Sequence, residues 1–101
     1  DQIYADYIFK DYKEKLSSNI TASALYDETL LKFRSLYRWV WSHPDVAPAF
    51  RRTSNWFLPD DHDITNNLGI DMWRNATLRP FIRAGKHAFI EYQVATQYEP
   101  V

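Results

Sequence analysis

Apolar residues recur three or four apart along most of this chain, and a period of two is nowhere sustained. In residues 2–16, Tyr4, Ile8, Tyr12 and Leu16 fall every four positions, and Ile3 and Tyr7 widen the stripe. Asp6, Lys10, Lys13 and Glu14 supply the polar side, so the spacing predicts an amphipathic helix over 2–16. Ser17-Ser18-Asn19 breaks it and offers N-cap oxygens to a following helix. That second helix is expected from about Thr21 to Ser42, where Tyr26, Leu30, Phe33, Tyr37 and Val40 alternate spacings of four and three. Leu25, Leu36 and Trp41 broaden its apolar face enough to meet more than one neighbour. Pro44 ends it, because proline disfavours helical backbone at His43.

The middle of the chain is loop-rich. Asp45 to Thr53 reads as a short helix interrupted by Pro48 and anchored by Phe50. Residues 54–63 read as a loop with an aromatic-apolar plug, Trp56-Phe57-Leu58, of the kind that contacts something else. A third helix is expected from Asp63 or Thr65, carrying Leu68, Met72 and Trp73 inward. Gly69 weakens that helix by roughly 1 kcal/mol relative to alanine. Thr77 reads as an N-cap and Pro80 as a first-turn proline of the last helix, which buries Leu78, Phe81, Ile82, Phe89 and Tyr92. Gly85 and Ala88 share that face and leave room for another helix to approach. The pattern as a whole predicts an all-α fold: one domain over 1–101, a small bundle of three to five helices, with antiparallel long helices and a loop-rich middle segment.

Composition narrows the function classes. A chain of 101 residues buries one core. It has no cysteine, which excludes disulfides, thiolate metal sites and cysteine nucleophiles. No apolar run is long enough to predict a membrane span. With 12 basic and 13 acidic residues, the net charge of −1 argues against nucleic-acid binding driven by counterion release. Aromatics reach 17 %, which either fills a small core or leaves some rings on a docking surface. A start at Asp1 rather than Met is expected from removal of a leader, such as a mitochondrial presequence, or from trimming.

No motif announces catalysis. Asp60-Asp61-His62-Asp63 has carboxylates and an imidazole, but consecutive ligands in one loop rarely converge on one ion, so it reads as a solvated turn and helix cap. His43, His62 and His87 include no pair at the helical spacing of four that brings two imidazoles onto zinc. Two glycines are too few for a phosphate loop, and no nucleophile elbow is present. The expectation is therefore a non-enzyme without metal or cofactor. Asn19-Ile20-Thr21 and Asn75-Ala76-Thr77 match the glycosylation sequon, although helix capping explains both threonines more simply. Arg34, Arg38, Arg51, Arg52, Arg74, Arg79 and Arg83 outnumber the five lysines and interleave with Trp39, Trp41, Trp56 and Trp73. Guanidinium pairs bidentately with carboxylates and stacks on rings, so this pattern reads either as ordinary ion pairs or as an interface for an acidic partner.

Within the second helix stands Leu36-Tyr37-Arg38, in the run Leu-Leu-Lys-Phe-Arg-Ser-Leu-Tyr-Arg-Trp-Val-Trp. Further on, Met72-Trp73-Arg74-Asn75 supplies an aromatic-Arg-Asn segment, and Ile82-Arg83-Ala84-Gly85-Lys86 a glycine-lysine segment. The three together resemble the LYR-motif family of small mitochondrial helical proteins, with a match over residues 30–95 inside a helical region of about 21–98. The resemblance implies a non-catalytic accessory subunit or assembly factor of a respiratory or ATP-synthase complex, on the matrix side or in an inner-membrane complex. It also implies docking to other protein subunits, with acyl carrier protein as one such partner. Leu36, Tyr37 and Arg38 carry over from the motif, while Arg34, Arg74 and Lys86 suit a basic rim. Trp56 and Phe57 are expected at the same interface as an apolar plug. A different class, a free-standing regulatory binder of the phage or bacterial inhibitor type, fits the same arginine-aromatic face or the acidic loop.

Overall fold

The computed structural model describes residues 2–52 and 60–94, and its secondary structure there is helical. Helix α1 is Asp6–Lys15, α2 Ala22–Trp41, α3 Ala47–Arg52, α4 Ile70–Arg74 and α5 Arg79–Phe89. A 3₁₀ turn, Asp61–Asp63, precedes α4, and a π-helical turn, Ile90–Val94, continues α5. The fold is the small all-α bundle that the periodicity predicts. Trp56, Phe57 and the rest of the expected plug lie outside the described residues.

The core is built where α1, α2 and α5 meet, from Ile8, Tyr12, Leu25, Leu30, Phe33, Tyr37, Phe81, Ile82 and Ala88. Phe81 sits at its centre, with the rings of Phe9, Tyr12 and Phe33 tilted against it at 4.9, 5.5 and 5.4 Å. Such offset aromatic contacts add roughly 0.5–1.5 kcal/mol each beyond the area they bury. Helix α1 runs antiparallel to α2, with Lys15 paired to Glu28 and Lys32 to Asp11. Helices α2 and α5 run in the same sense: Ala22 and Leu25 share a cavity with Ala76 and Pro80 at one end, and Tyr37 meets Gln93 at the other.

Helix α2 matches its sequence pattern closely. Thr21 caps it, its hydroxyl accepting the N–H of Ala24 at 3.1 Å, and Ser42 closes it. Pro48 belongs to α3 rather than interrupting it, where φ near −65° is already helical. Ser17 and Ser18 do not cap α2; their hydroxyls donate back to the carbonyls of Glu14 and Lys15 and finish α1.

The N-terminus departs from expectation. Residues 2–5 are not helical, because their backbone is spent on a tertiary clamp. Asp63 Oδ1 accepts the N–H groups of Gln2 and Ile3 at 2.6 and 3.1 Å, and the N–H of Ala5 donates to the carbonyl of His62 at 2.9 Å. Helix α1 therefore starts at Asp6, and its buried face runs through Ala5, Ile8 and Tyr12. Tyr4, Tyr7 and Leu16, expected in the stripe, are exposed instead.

The acidic loop is the other half of that clamp, not a merely solvated turn. Asp60 caps the 3₁₀ turn through Asp61 N–H, as expected of a cap, but Asp63 is only 1 % exposed. Asp61 accepts the N–H of Asn67, whose φ of 55° turns the chain out of helix. The predicted third helix is accordingly only α4, with Gly69 at its N-cap rather than in its interior. Leu68 and Met72 are half-buried as expected, whereas Trp73 is exposed. Thr77 does not cap α5; its hydroxyl and N–H both bond Asn75 Oδ1, and Leu78 holds the cap position.

Gly85 fulfils the expectation of close approach. A Cβ there would meet Phe33 Cζ at 3.0 Å and two side-chain carbons of Ile64 at 3.2 and 3.3 Å. Phe33 is fully buried against Phe81 and has nowhere to retreat. Overpacking of this kind costs about 1–3 kcal/mol, against about 1 kcal/mol gained by replacing glycine within a helix. Gly85→Ala is thus expected to lose roughly 1 kcal/mol, read as a lower urea midpoint; a raised midpoint would show that Ile64 yields freely.

Around the clamp, His62 Nδ1 lies 2.8 Å from Asp6 Oδ2, and Asp6 Oδ1 accepts Asn66 N–H at 2.7 Å. The hydrogen bond to Asp6 raises the His62 pKa above its ordinary 6.5. Burial alone would raise the Asp6 carboxyl, but its bonds to His62 and Asn66 together pull it below 3.8. Stability from His62 is therefore complete below pH 6.5 and fades as pH rises through its elevated folded value. Stability from Asp6 is complete above pH 3.8 and fades as pH falls through its depressed one. Urea midpoints measured against pH should decline above about 6.5 for the native chain, and His62→Gln should flatten that decline.

Candidate partner interface

The Leu36-Tyr37-Arg38 triplet lies near the C-terminal end of α2, against the end of α5 and its π-helical turn. A π turn inserts extra backbone and rotates the residues after it. Here it carries Gln93 into the core and lays Tyr92 over α2. The rings of Tyr37 and Tyr92 stack at 4.8 Å with an interplanar angle of 2°, and Trp41 meets both edge-on.

Tyr37 is fully buried, and its hydroxyl accepts Gln93 Nε2–H at 2.8 Å. Burial pushes its phenol far above the ordinary 10, offset only in part by the Gln93 bond, so the ring stays neutral. Gln93 is equally buried, and its Oε1 has no hydrogen-bond partner among the described residues. Tyr37 thus holds the packing together and offers no surface to a partner. Leu36 beside it is half-buried.

Outside this core contact, a polar seam joins α2 to α5. Arg38 is exposed and donates from Nε to Tyr92 Oη at 3.2 Å. Arg34 Nε pairs with Glu91 Oε1 at 3.0 Å, His87 Nε2 approaches the same oxygen at 3.5 Å, and Tyr26 Oη lies 3.2 Å from His87 Nδ1. Trp39, next to Arg38, is 73 % exposed. An open groove of about 410 Å³ adjoins them, lined by Arg38, Trp41, Ala47, Phe50 and Arg51.

The residues expected to bind a partner are spread over separate places. Arg34 and Arg38 belong to the α2–α5 seam. Arg74 ends α4, where its carbonyl accepts Arg79 Nη2. Lys86 is exposed and lines a cavity of about 490 Å³ together with Asp60, Ile64, Leu68 and Phe89. Trp56 and Phe57 lie outside the described residues. Gln93 and Glu91 were not singled out from sequence; a polar residue beside Tyr92, which was expected to face inward, was the available signal.

Among the described residues no three His, Asp or Glu side chains are grouped to hold a metal ion, and no helix is long and apolar enough to cross a membrane. No family model, curated protein or solved structure matches the chain.

Tyr37 and Arg38 should separate cleanly. Tyr37→Phe leaves the buried Gln93 amide without a partner at either end and should cost about 1–3 kcal/mol. Arg38→Ala removes one exposed hydrogen bond and should stay within about 0.5 kcal/mol of the native chain. Equilibrium urea unfolding of both variants distinguishes a buried role from a surface one.

Proposed function

We propose that this chain is a non-catalytic docking protein, an accessory subunit or assembly factor of a mitochondrial respiratory or ATP-synthase complex. The observation that carries the reading is its surface: Tyr4, Tyr7, Leu31, Trp39, Ile70, Trp73 and Ile90 are all exposed on one small domain. Interfaces are enriched in aromatic residues and arginine, and large rings left in water favour burial against a partner. Arg38 and Trp39 stand side by side at the end of α2, beside the groove that Arg51 and Phe50 line. In this reading Arg38 meets an acidic group of the partner, acyl carrier protein among the candidates, while Tyr37 fixes the helix that presents it. The Leu36-Tyr37-Arg38 resemblance supplies the mitochondrial setting.

The test is affinity purification of the tagged protein from its native cells, followed by mass spectrometry. Stoichiometric recovery of respiratory or ATP-synthase subunits is expected, with recovery reduced in Arg38→Ala. A chain that comes down alone, or with one unrelated enzyme, would sink the assembly reading in favour of a free-standing regulatory binder.

A further inference from the structure

A second surface, distinct from the Arg38 groove, is marked by arginines that pair with no carboxylate among the described residues. Trp73, on α4, is 40 % exposed, and two guanidinium groups from α5 lie over its ring: Arg79 at 5.3 Å and Arg83 at 5.7 Å from the centroid. Arg79 is fixed further by donating to the backbone carbonyls of Trp73 and Arg74. Among the described residues neither these two arginines nor Arg74 forms a salt bridge to a carboxylate. Asp71 is the only acidic residue from 64 to 90. Exposed Ile70, on the same short helix, adds an apolar side chain.

We propose that the Trp73–Arg79–Arg83 face docks an acidic amphipathic helix of a protein partner. Cation–π contact holds both guanidiniums in place, and among the described residues Arg83 keeps its N–H fork unbonded while Arg79, bonded through Nε and Nη2, keeps Nη1, which lowers the ordering cost of pairing with carboxylates. Arg79 and Arg83 are one turn apart on α5, a rise of about 6 Å, which fits carboxylates spaced i and i+4 on a facing helix. Ile70 and the edge of Trp73 receive the apolar stripe of that helix. Charge complementarity decides between partners. Three arginines on a chain of net charge −1 release few counterions, which is poor support for a nucleic acid, and a sugar-phosphate strand has no use for Ile70.

This surface serves the docking function proposed above, but its chemistry is tested apart from any cellular complex. The probe is a synthetic amphipathic helical peptide with glutamates at i and i+4 beside a leucine face, titrated into the full chain and followed by the Trp73 indole N–H resonance. Binding is expected to weaken about tenfold or more in the Arg79→Gln/Arg83→Gln double variant, and likewise when the peptide glutamates become glutamine. Lys10→Gln, on exposed α1 surface, should bind like the native chain. Arg83→Gln alone, which removes no hydrogen bond seen here, stands in if the double variant unfolds. Absence of peptide binding, equal affinity for the glutamine peptide, or tighter binding of oligothymidylate would each overturn the proposal. Peptide binding alongside a failed purification would leave this surface standing and remove only the mitochondrial assignment.

Discussion

The buried carboxylate of Asp63 is the centre of the contact that joins the N-terminal segment to the loop at 60–67, with the Ala5–His62, Asp6–His62 and Asp6–Asn66 bonds around it. It accepts two N–H groups from the N-terminal segment through one oxygen and the N–H of Asp60 through the other. Charge-assisted bonds to backbone N–H are among the stronger ones, and an unpaired carboxylate at this depth would carry a heavy desolvation cost. Because those donors are satisfied, residues 2–5 can leave the helix with Ile3 and Ala5 buried. The start of α1 follows from that, and with it the face that α1 turns to Phe81. The loop of residues 60–67 is fixed by the same contact, which places Ile64 against Gly85.

A second constraint works where α5 ends. Continued as an ordinary α-helix, α5 would present different residues after Phe89. The π turn spends one irregular stretch to bring Tyr92 flat onto Tyr37 and Gln93 beneath it. The aromatic gain is set against a buried amide oxygen left unpaired among the described residues. The consequence for function is local rigidity: α2 is clamped at the residues just before Arg38 and Trp39, so those two side chains leave a well-packed base.

Helix-period patterning made the class of fold, the limits of α2 and the close contact at Gly85 legible in the sequence. Local signals failed where a long-range partner took over the same groups. The stripe of Tyr4, Ile8, Tyr12 and Leu16 is a sound helical pattern, but the backbone of residues 2–5 bonds the loop at 62–63 instead. Thr77 has the chemistry of a cap and is diverted to Asn75. Asp63 reads as solvated because nothing within a few residues of it reveals a partner sixty positions away. In the candidate interface the triplet's position on α2 and the place of Tyr37 in its apolar stripe are readable, while the bond from Gln93 to Tyr37 depends on a π turn that no periodicity announces.

Net charge conceals how the cations are used. Along α1 and α2, lysines and Arg34 face carboxylates: Lys15 with Glu28, Lys32 with Asp11 and Arg34 with Glu91. Exposed pairs of this sort add little stability, about 0–1 kcal/mol each, but they neutralise the surface around them. On α5, Arg79 and Arg83 have the indole of Trp73 for a neighbour, which orients them without cancelling their charge. A nearly neutral chain can therefore carry a locally cationic face, and screening over about 8 Å at physiological ionic strength keeps distant acids from erasing it. The separation of paired from unpaired cations, rather than the total, is what gives this small domain a directional surface.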